Sequence, residues 1–143
     1  MTDALYWLIL NATAMLLMPL PYVFEAVSRL GVARALGYSQ DLTSGGFERP
    51  GETPAPWAQR AYRAHRNAVE NFPIFAALIL IAHVANVGTG LDLVAQGAMV
   101  YFFARIAHYV VYTAGIPVLR TLAYVITVGA MLAMAYVLLT HGP

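Results

Sequence analysis

Apolar residues run in four long blocks along the chain, and polar residues collect mainly between the first two. From about Ala4 the sequence is apolar down to Val27, interrupted chiefly by Asn11 and Glu25. That run exceeds the roughly 20 residues a helix needs to cross a bilayer. The first helix is expected over about 4–36, kinked near its middle because Pro19 and Pro21 each lack a backbone donor and crowd the preceding turn. A second is expected over 56–85, opening on Pro56, which suits a first helical turn. Its apolar part, Phe72 to Val84, is short for a full crossing. Its polar entrance must therefore sit in the headgroup zone or a polar cleft. Pro73 is expected to loosen a turn near Glu70 and Asn71. Asn86 to Gly90 reads as a tight turn, a third helix as 91–114, Gly115-Ile116-Pro117 as a break, and a fourth helix as 118–140. The expected fold is all-α: an integral membrane, antiparallel four-helix bundle in one domain covering 1–143.

Residues 37–55 carry Gly45-Gly46, Pro50-Gly51 and Pro54 with Asp41, Glu48, Arg49 and Glu52, which is turn and coil chemistry. The segment reads either as a solvated connector or as a lid over the polar stripe that follows it. The start, Met1-Thr2-Asp3, has no basic leader and runs into a long apolar block, so it reads as a retained membrane segment rather than a cleaved signal.

Composition sharpens the membrane reading. Sixty per cent of the 143 residues are apolar, 10% are charged, and the mean hydropathy is +0.65. A soluble domain carries about 25% charged residues. The formal net charge of +1 gives no general attraction to nucleic acid. The absence of cysteine excludes disulfides, thiolate metal sites and a cysteine nucleophile. Four scattered histidines, at 65, 83, 108 and 141, form no recognisable metal-ligand set. All eight basic residues are arginine, and six of them lie between positions 29 and 66. The positive-inside rule then places the first loop and the 115–117 turn in the cytoplasm of a bacterial inner membrane, with both termini on the opposite side.

Two polar stripes stand out at comparable depth. Arg63, Asn67 and Glu70 are spaced i, i+4, i+7, so they share one face of the second helix. Arg105, His108, Tyr109 and Tyr112 do the same on the third, and Arg120 opens the fourth. Ionisable groups at membrane depth normally face a protein interior or a wet pocket. Asn11 reads as interhelical glue, and Arg29 and Arg66 as anchors that snorkel to the interface. Two readings of the stripes stay open. Glu70 and Arg105 could form a structural ion pair. Alternatively, the arginines clamp carboxylates, Glu70 accepts from an amino group and Asn67 serves an amide, a combination suited to a small zwitterionic peptide.

The run Arg63-Ala64-x-x-Asn67-x-x-Glu70-x-Phe72-Pro73, followed by an apolar helix, resembles the signature of the MAPEG family, the membrane-associated proteins in eicosanoid and glutathione metabolism. The resemblance extends to Phe103-Ala104-Arg105-x-x-His108-x-x-x-Tyr112, to Arg120 and to the four-helix layout. It implies a homotrimer in the lipid bilayer with glutathione as co-substrate, bound at subunit interfaces by Arg63, Asn67, Glu70 and Tyr112. Arg105 and His108 would complete the third helix's side of that site. Arg120 resembles the arginine that stabilises the glutathione thiolate, which would make it catalytic in a transferase or peroxidase acting on a hydrophobic small-molecule electrophile. The sequence departs from the pattern at Asn71 and His108, where relatives often carry tyrosine, and in a Tyr112-to-Arg120 spacing one residue longer. Those departures keep a second class open, a noncatalytic member that binds a small ligand or serves as accessory subunit of a membrane complex.

Overall fold

The computed structural model describes residues 1–32, 35, 53–85 and 90–141. Five helices appear among them: α1 (Asp3–Leu17), α2 (Leu20–Leu30), α3 (Pro56–Ala85), α4 (Gly90–Ala114) and α5 (Pro117–His141). Helices α1 and α2 together make one span of 28 residues, and α3, α4 and α5 make spans of 30, 25 and 25. The protein is therefore an all-α, four-helix membrane-spanning protein. Most of the segment read as connector or lid, 37–52, lies outside the described residues, as does most of the 86–90 turn.

The first expected helix is two. Its break falls at Met18-Pro19, where Val23 N–H already bonds the Pro19 carbonyl and the two proline nitrogens donate nothing. Tyr109 on α4 donates to the Met18 carbonyl at 2.7 Å, so the acceptor exposed by the break is taken up across helices. The expected end at Leu36 lies outside the described residues. Helix α2 stops at Leu30 because Gly31 turns to φ 78°, a conformation open to glycine. Pro73 has the opposite outcome, since α3 runs through it without a break. Asn11, 2% exposed, donates to the Trp7 carbonyl of its own helix at 2.9 Å, so its recorded bond is not the interhelical one expected.

Small residues bring the helices close. Ala58, Ala61, Ala64 and Ala68, followed by Phe75, Ile79 and Ala82, form one buried stripe of α3. Val94, Ala98 and Tyr101 of α4 meet it, and Phe75 stacks flat on Tyr101 with centroids 4.0 Å apart. Gly97 lets α4 and α5 approach so closely that a Cβ there would lie 2.6 Å from Met134 Cγ. Such contacts suit helices that associate through close packing because lipid offers no hydrophobic drive. Large apolar side chains are left outside instead: Leu139, Val84 and Val118 are 86%, 82% and 77% exposed. A surface of that kind is compatible with hydrocarbon and would aggregate in water.

At the other end of the molecule, Tyr22, Ala58 and Ala61 pack with Tyr62 and Tyr109. Tyr22 Oη and His65 Nδ1 are hydrogen-bonded at 2.8 Å, joining α2 to α3. The Glu25 carboxylate pairs with Arg29 at 3.0 Å and accepts from Ala55 N–H at 3.1 Å, placing a negative charge at the start of α3. Gly115 closes α4 with φ 82°, its N–H bonding the Tyr112 and Val111 carbonyls while Ile116 N–H also reaches Val111.

Gly97→Val should destabilise the protein by about 1–3 kcal/mol through overpacking against Met134. Gly129→Ala, with open space around its Cα, should leave stability unchanged or raise it by up to about 1 kcal/mol. Thermal unfolding of the detergent-solubilised protein checks both.

Candidate functional site

The α3 stripe is presented by default. With the alanine row turned inward, Arg63, Arg66 and Glu70 fall on the opposite, exposed face, and Asn67 lies half-buried at its edge. These four line an open cleft of about 360 Å³ with Tyr112 of α4. Arg66 Nε pairs with Glu70 Oε1 at 3.1 Å, one turn apart. The structural Glu70–Arg105 pair, one of the two readings left open, is thus not the pair formed among the described residues; Glu70 makes an exposed pair within α3 instead, worth about 0.3–0.5 kcal/mol at most. Arg66, read as a simple anchor, belongs to the cleft. Its i, i+4 spacing from Glu70 was the signal that could have placed it there.

Arg105 is not a wall of the cleft. It is 2% exposed and sits behind Asn67, donating from Nη1 to Asn67 Oδ1 at 2.8 Å. Its guanidinium carbon lies 5.3 Å from the Tyr101 ring centroid, on the side of the core. Nε and Nη2 have no hydrogen-bond partner among the described residues. This bond fixes the Asn67 amide. Arginine has only donors, so the atom facing it must be the carbonyl oxygen, which leaves the NH₂ group as the amide's free end. The Asn67 backbone carbonyl is occupied as well, accepting from Asn71 Nδ2 at 2.7 Å.

His108 is likewise buried, at 3% exposure, with its ring edge-on to Tyr112 at 5.5 Å and tilted against Tyr124 at 6.2 Å. Its Nδ1 has no partner among the described residues. The expected single site thus separates into layers. Arg63, Asn67, Glu70 and Tyr112 meet at the cleft, while Arg105 and His108 lie beneath it.

Arg120 comes to the same tyrosine from the other side. Its guanidinium carbon is 4.7 Å from the Tyr112 ring centroid. It lines a smaller depression of about 110 Å³ with Arg60, Tyr112 and the 115–117 turn. Arg60, which the sequence did not single out from the other headgroup arginines, donates Nε to the Thr113 carbonyl at 2.9 Å and so caps α4. Tyr112 is the element common to cleft and depression. Chemically, the two together offer several guanidiniums, one carboxylate and an oriented amide around an aromatic wall, a set suited to a small molecule bearing both carboxylates and an amino group.

The MAPEG family's sequence profile matches residues 4–140. No individual curated protein matches the chain.

The layering has a measurable consequence. Asn67→Ala removes the amide oxygen that accepts from Arg105 Nη1 and should destabilise the protein by about 2–3 kcal/mol. Arg63→Ala, at an exposed position, should change stability by less than about 0.5 kcal/mol. Denaturation in mild detergent distinguishes them, and equal losses would contradict the separation of layers.

Proposed function

The chain belongs to the MAPEG family, and on that footing we propose that it is a glutathione-dependent transferase or peroxidase acting on hydrophobic electrophiles at the membrane. The observation that carries this reading is the cleft in which Arg63, Arg66, Asn67 and Glu70 face Tyr112, with Arg120 held against that same ring. The residues fit the tripeptide by charge and hydrogen-bond type. Arg63, and the guanidinium nitrogens of Arg66 not committed to Glu70, clamp its carboxylates. Glu70 accepts from its ammonium group, and the Asn67 NH₂, aimed outward by Arg105, donates to a peptide carbonyl.

When bound there, glutathione supplies a thiolate nucleophile. A free cysteine thiol has a pKa of about 8.5 and is mostly neutral at pH 7. Arg120 offers a fixed guanidinium that favours the ionised sulfur, and the Tyr112 ring holds that guanidinium in place. The electrophile enters from the lipid, and the sulfur's electron pair makes the new bond as the leaving group departs with its own.

Assembly belongs to the same proposal. Arg63, Arg66 and Glu70 are exposed on a membrane-spanning helix of the single chain, where contact with lipid would be costly. A second copy covering them, in an antiparallel four-helix homotrimer, removes that cost and closes the cleft. The arginine bias puts the first loop in the cytoplasm of a bacterial inner membrane, with both termini opposite. One observation favours a second reading. Arg120 lines a different depression from Arg63, Asn67 and Glu70. A noncatalytic member that binds a small ligand, or an accessory subunit of a membrane complex, would tolerate that separation.

Glutathione titration separates the two readings. Arg63→Ala and Glu70→Gln should each weaken binding by about 2 kcal/mol or more if the cleft is desolvated by a partner. Arg120→Ala should spare most of the affinity but abolish the thiolate absorbance in ultraviolet difference spectra. Wild-type protein that binds no glutathione at millimolar concentration removes the enzyme reading. For assembly and orientation, native mass spectrometry in mild detergent should give a dominant trimer. Reporter fusions after Gly45 and Gly88 should report opposite sides, and a shared side contradicts the orientation.

A further inference from the structure

Arg60 stands one turn before Arg63 on α3, yet its guanidinium serves the end of another helix. A helix leaves its last carbonyls without donors of its own. At the end of α4 the turn supplies some of them. The Val111 carbonyl accepts from the N–H groups of Gly115 and Ile116, and the Tyr112 carbonyl from Gly115. The Thr113 carbonyl accepts from Arg60 Nε at 2.9 Å instead. The turn is shaped to admit that guanidinium. Gly115 carries φ 82°, and a Cβ there would lie 3.1 Å from Arg60 Nε and 3.2 Å from Cζ. A side chain at 115 would be strained and would crowd the arginine at its acceptor.

From that turn the chain has little freedom before Arg120. Pro117, its φ fixed by the ring, opens α5, and Arg120 N–H bonds the Ile116 carbonyl. Ile116 is itself tied back to Val111. Arg120 therefore starts from a backbone position set by the end of α4, and its guanidinium carbon comes to 4.7 Å from the Tyr112 ring centroid. On the other side of the bond, Arg63 and Asn67 follow Arg60 along α3 by one and two turns. The Arg60–Thr113 bond thus links the helix that carries the clamping residues of the cleft to the turn that aims Arg120.

We propose that Arg60 is a positioning residue: by capping α4 from α3 it sets where Arg120 stands relative to the cleft, and it does not touch the reacting sulfur. Its part in the reaction rests on the glutathione reading above. The separation of Arg120 from Arg63, Asn67 and Glu70 is then a fixed working distance, spanned by the tripeptide from its clamped ends to its sulfur. A stabilising group displaced by about 1 Å costs on the order of a hundredfold in rate, so the cap governs chemistry from outside the site.

The test uses the full chain in phosphatidylcholine nanodiscs and two readouts. Without glutathione, NMR of protein carrying isotope-labelled arginine reports the Arg120 guanidinium protons, assigned with Arg120→Lys. Over the face of Tyr112 they should be shifted upfield by the ring current, and Tyr112→Leu should abolish that shift. Arg60→Ala should abolish most of it. So should Gly115→Ala, which keeps the Arg60 charge but strains the turn and crowds the guanidinium. With glutathione, ultraviolet titration gives the pKa of the bound thiol. Both variants should raise it by about one unit, roughly a tenfold loss of thiolate below that pKa, with affinity for the neutral thiol form within about twofold of wild type. Added to Arg120→Ala, neither change should move the pKa further, because the effect runs through Arg120. An upfield shift retained in both variants overturns the positioning role, even where the unfolding temperature falls. A further rise in the Arg120→Ala background overturns it too, since Arg60 would then act on the sulfur directly. If the wild type binds no glutathione while both variants lose the upfield shift, the glutathione reading falls and the placement of Arg120 by Arg60 stands.

Discussion

The bond from Arg105 to Asn67 joins the two helices that carry the cleft. A guanidinium 2% exposed inside a membrane protein strengthens each hydrogen bond it makes and raises the cost of each one it lacks. Its 2.8 Å contact with Asn67 therefore constrains α3 in both depth and rotation relative to α4. That rotation buries Ala58, Ala61, Ala64 and Ala68 and leaves Arg63, Arg66 and Glu70 outside. The Phe75–Tyr101 stack, one to two turns away on the same two helices, holds the same register with an apolar contact. Polar and aromatic contacts agree on one arrangement. The charged face of α3 is thus a consequence of how its small-residue face packs.

Much of this was legible in the sequence because membrane helices announce themselves by run length. The limits expected for the last three helices, 56–85, 91–114 and 118–140, differ from the observed ones by no more than a residue at either end. Prolines were harder to read. Pro19 and Pro21 combine to interrupt a helix, yet Pro73, alone, is absorbed within one. A missing donor costs one hydrogen bond, and whether the helix stops depends on neighbours that sequence does not display. The end at Leu30 turned on Gly31, which looked like one more small residue in an apolar run.

The candidate site was legible as a list and illegible as an arrangement. Periodicity assigns residues to a helical face, but a stripe spaced i, i+3, i+4, i+7 covers a broad arc, and its two edges can meet different neighbours. On α4, Arg105 and His108 turn into the protein while Tyr112, one turn further, reaches the cleft. Arg60 escaped notice for a related reason. Its partner is a backbone carbonyl 53 residues away, and no side-chain pattern encodes an acceptor that every residue possesses.

Tyr112 is where these layers converge, and its position follows from the end of its helix. It lies three residues before Gly115, and its own carbonyl accepts the Gly115 N–H that closes α4. The turn that stops the helix also brings Arg120 back over the ring of the residue it left. A phenol ring tolerates a cation on its face and another aromatic ring at its edge, and Tyr112 has both, with Arg120 above it and His108 beside it. The same ring therefore forms a wall of two concavities with different contents, one mixing both signs of charge and the other lined by two arginines. Because Gly115 fixes where the chain reverses, and Arg60 caps the carbonyl next to Tyr112, the spacing between those concavities is set by backbone hydrogen bonds. That closed turn leaves Arg120 against the ring, its guanidinium carbon 4.7 Å from the centroid.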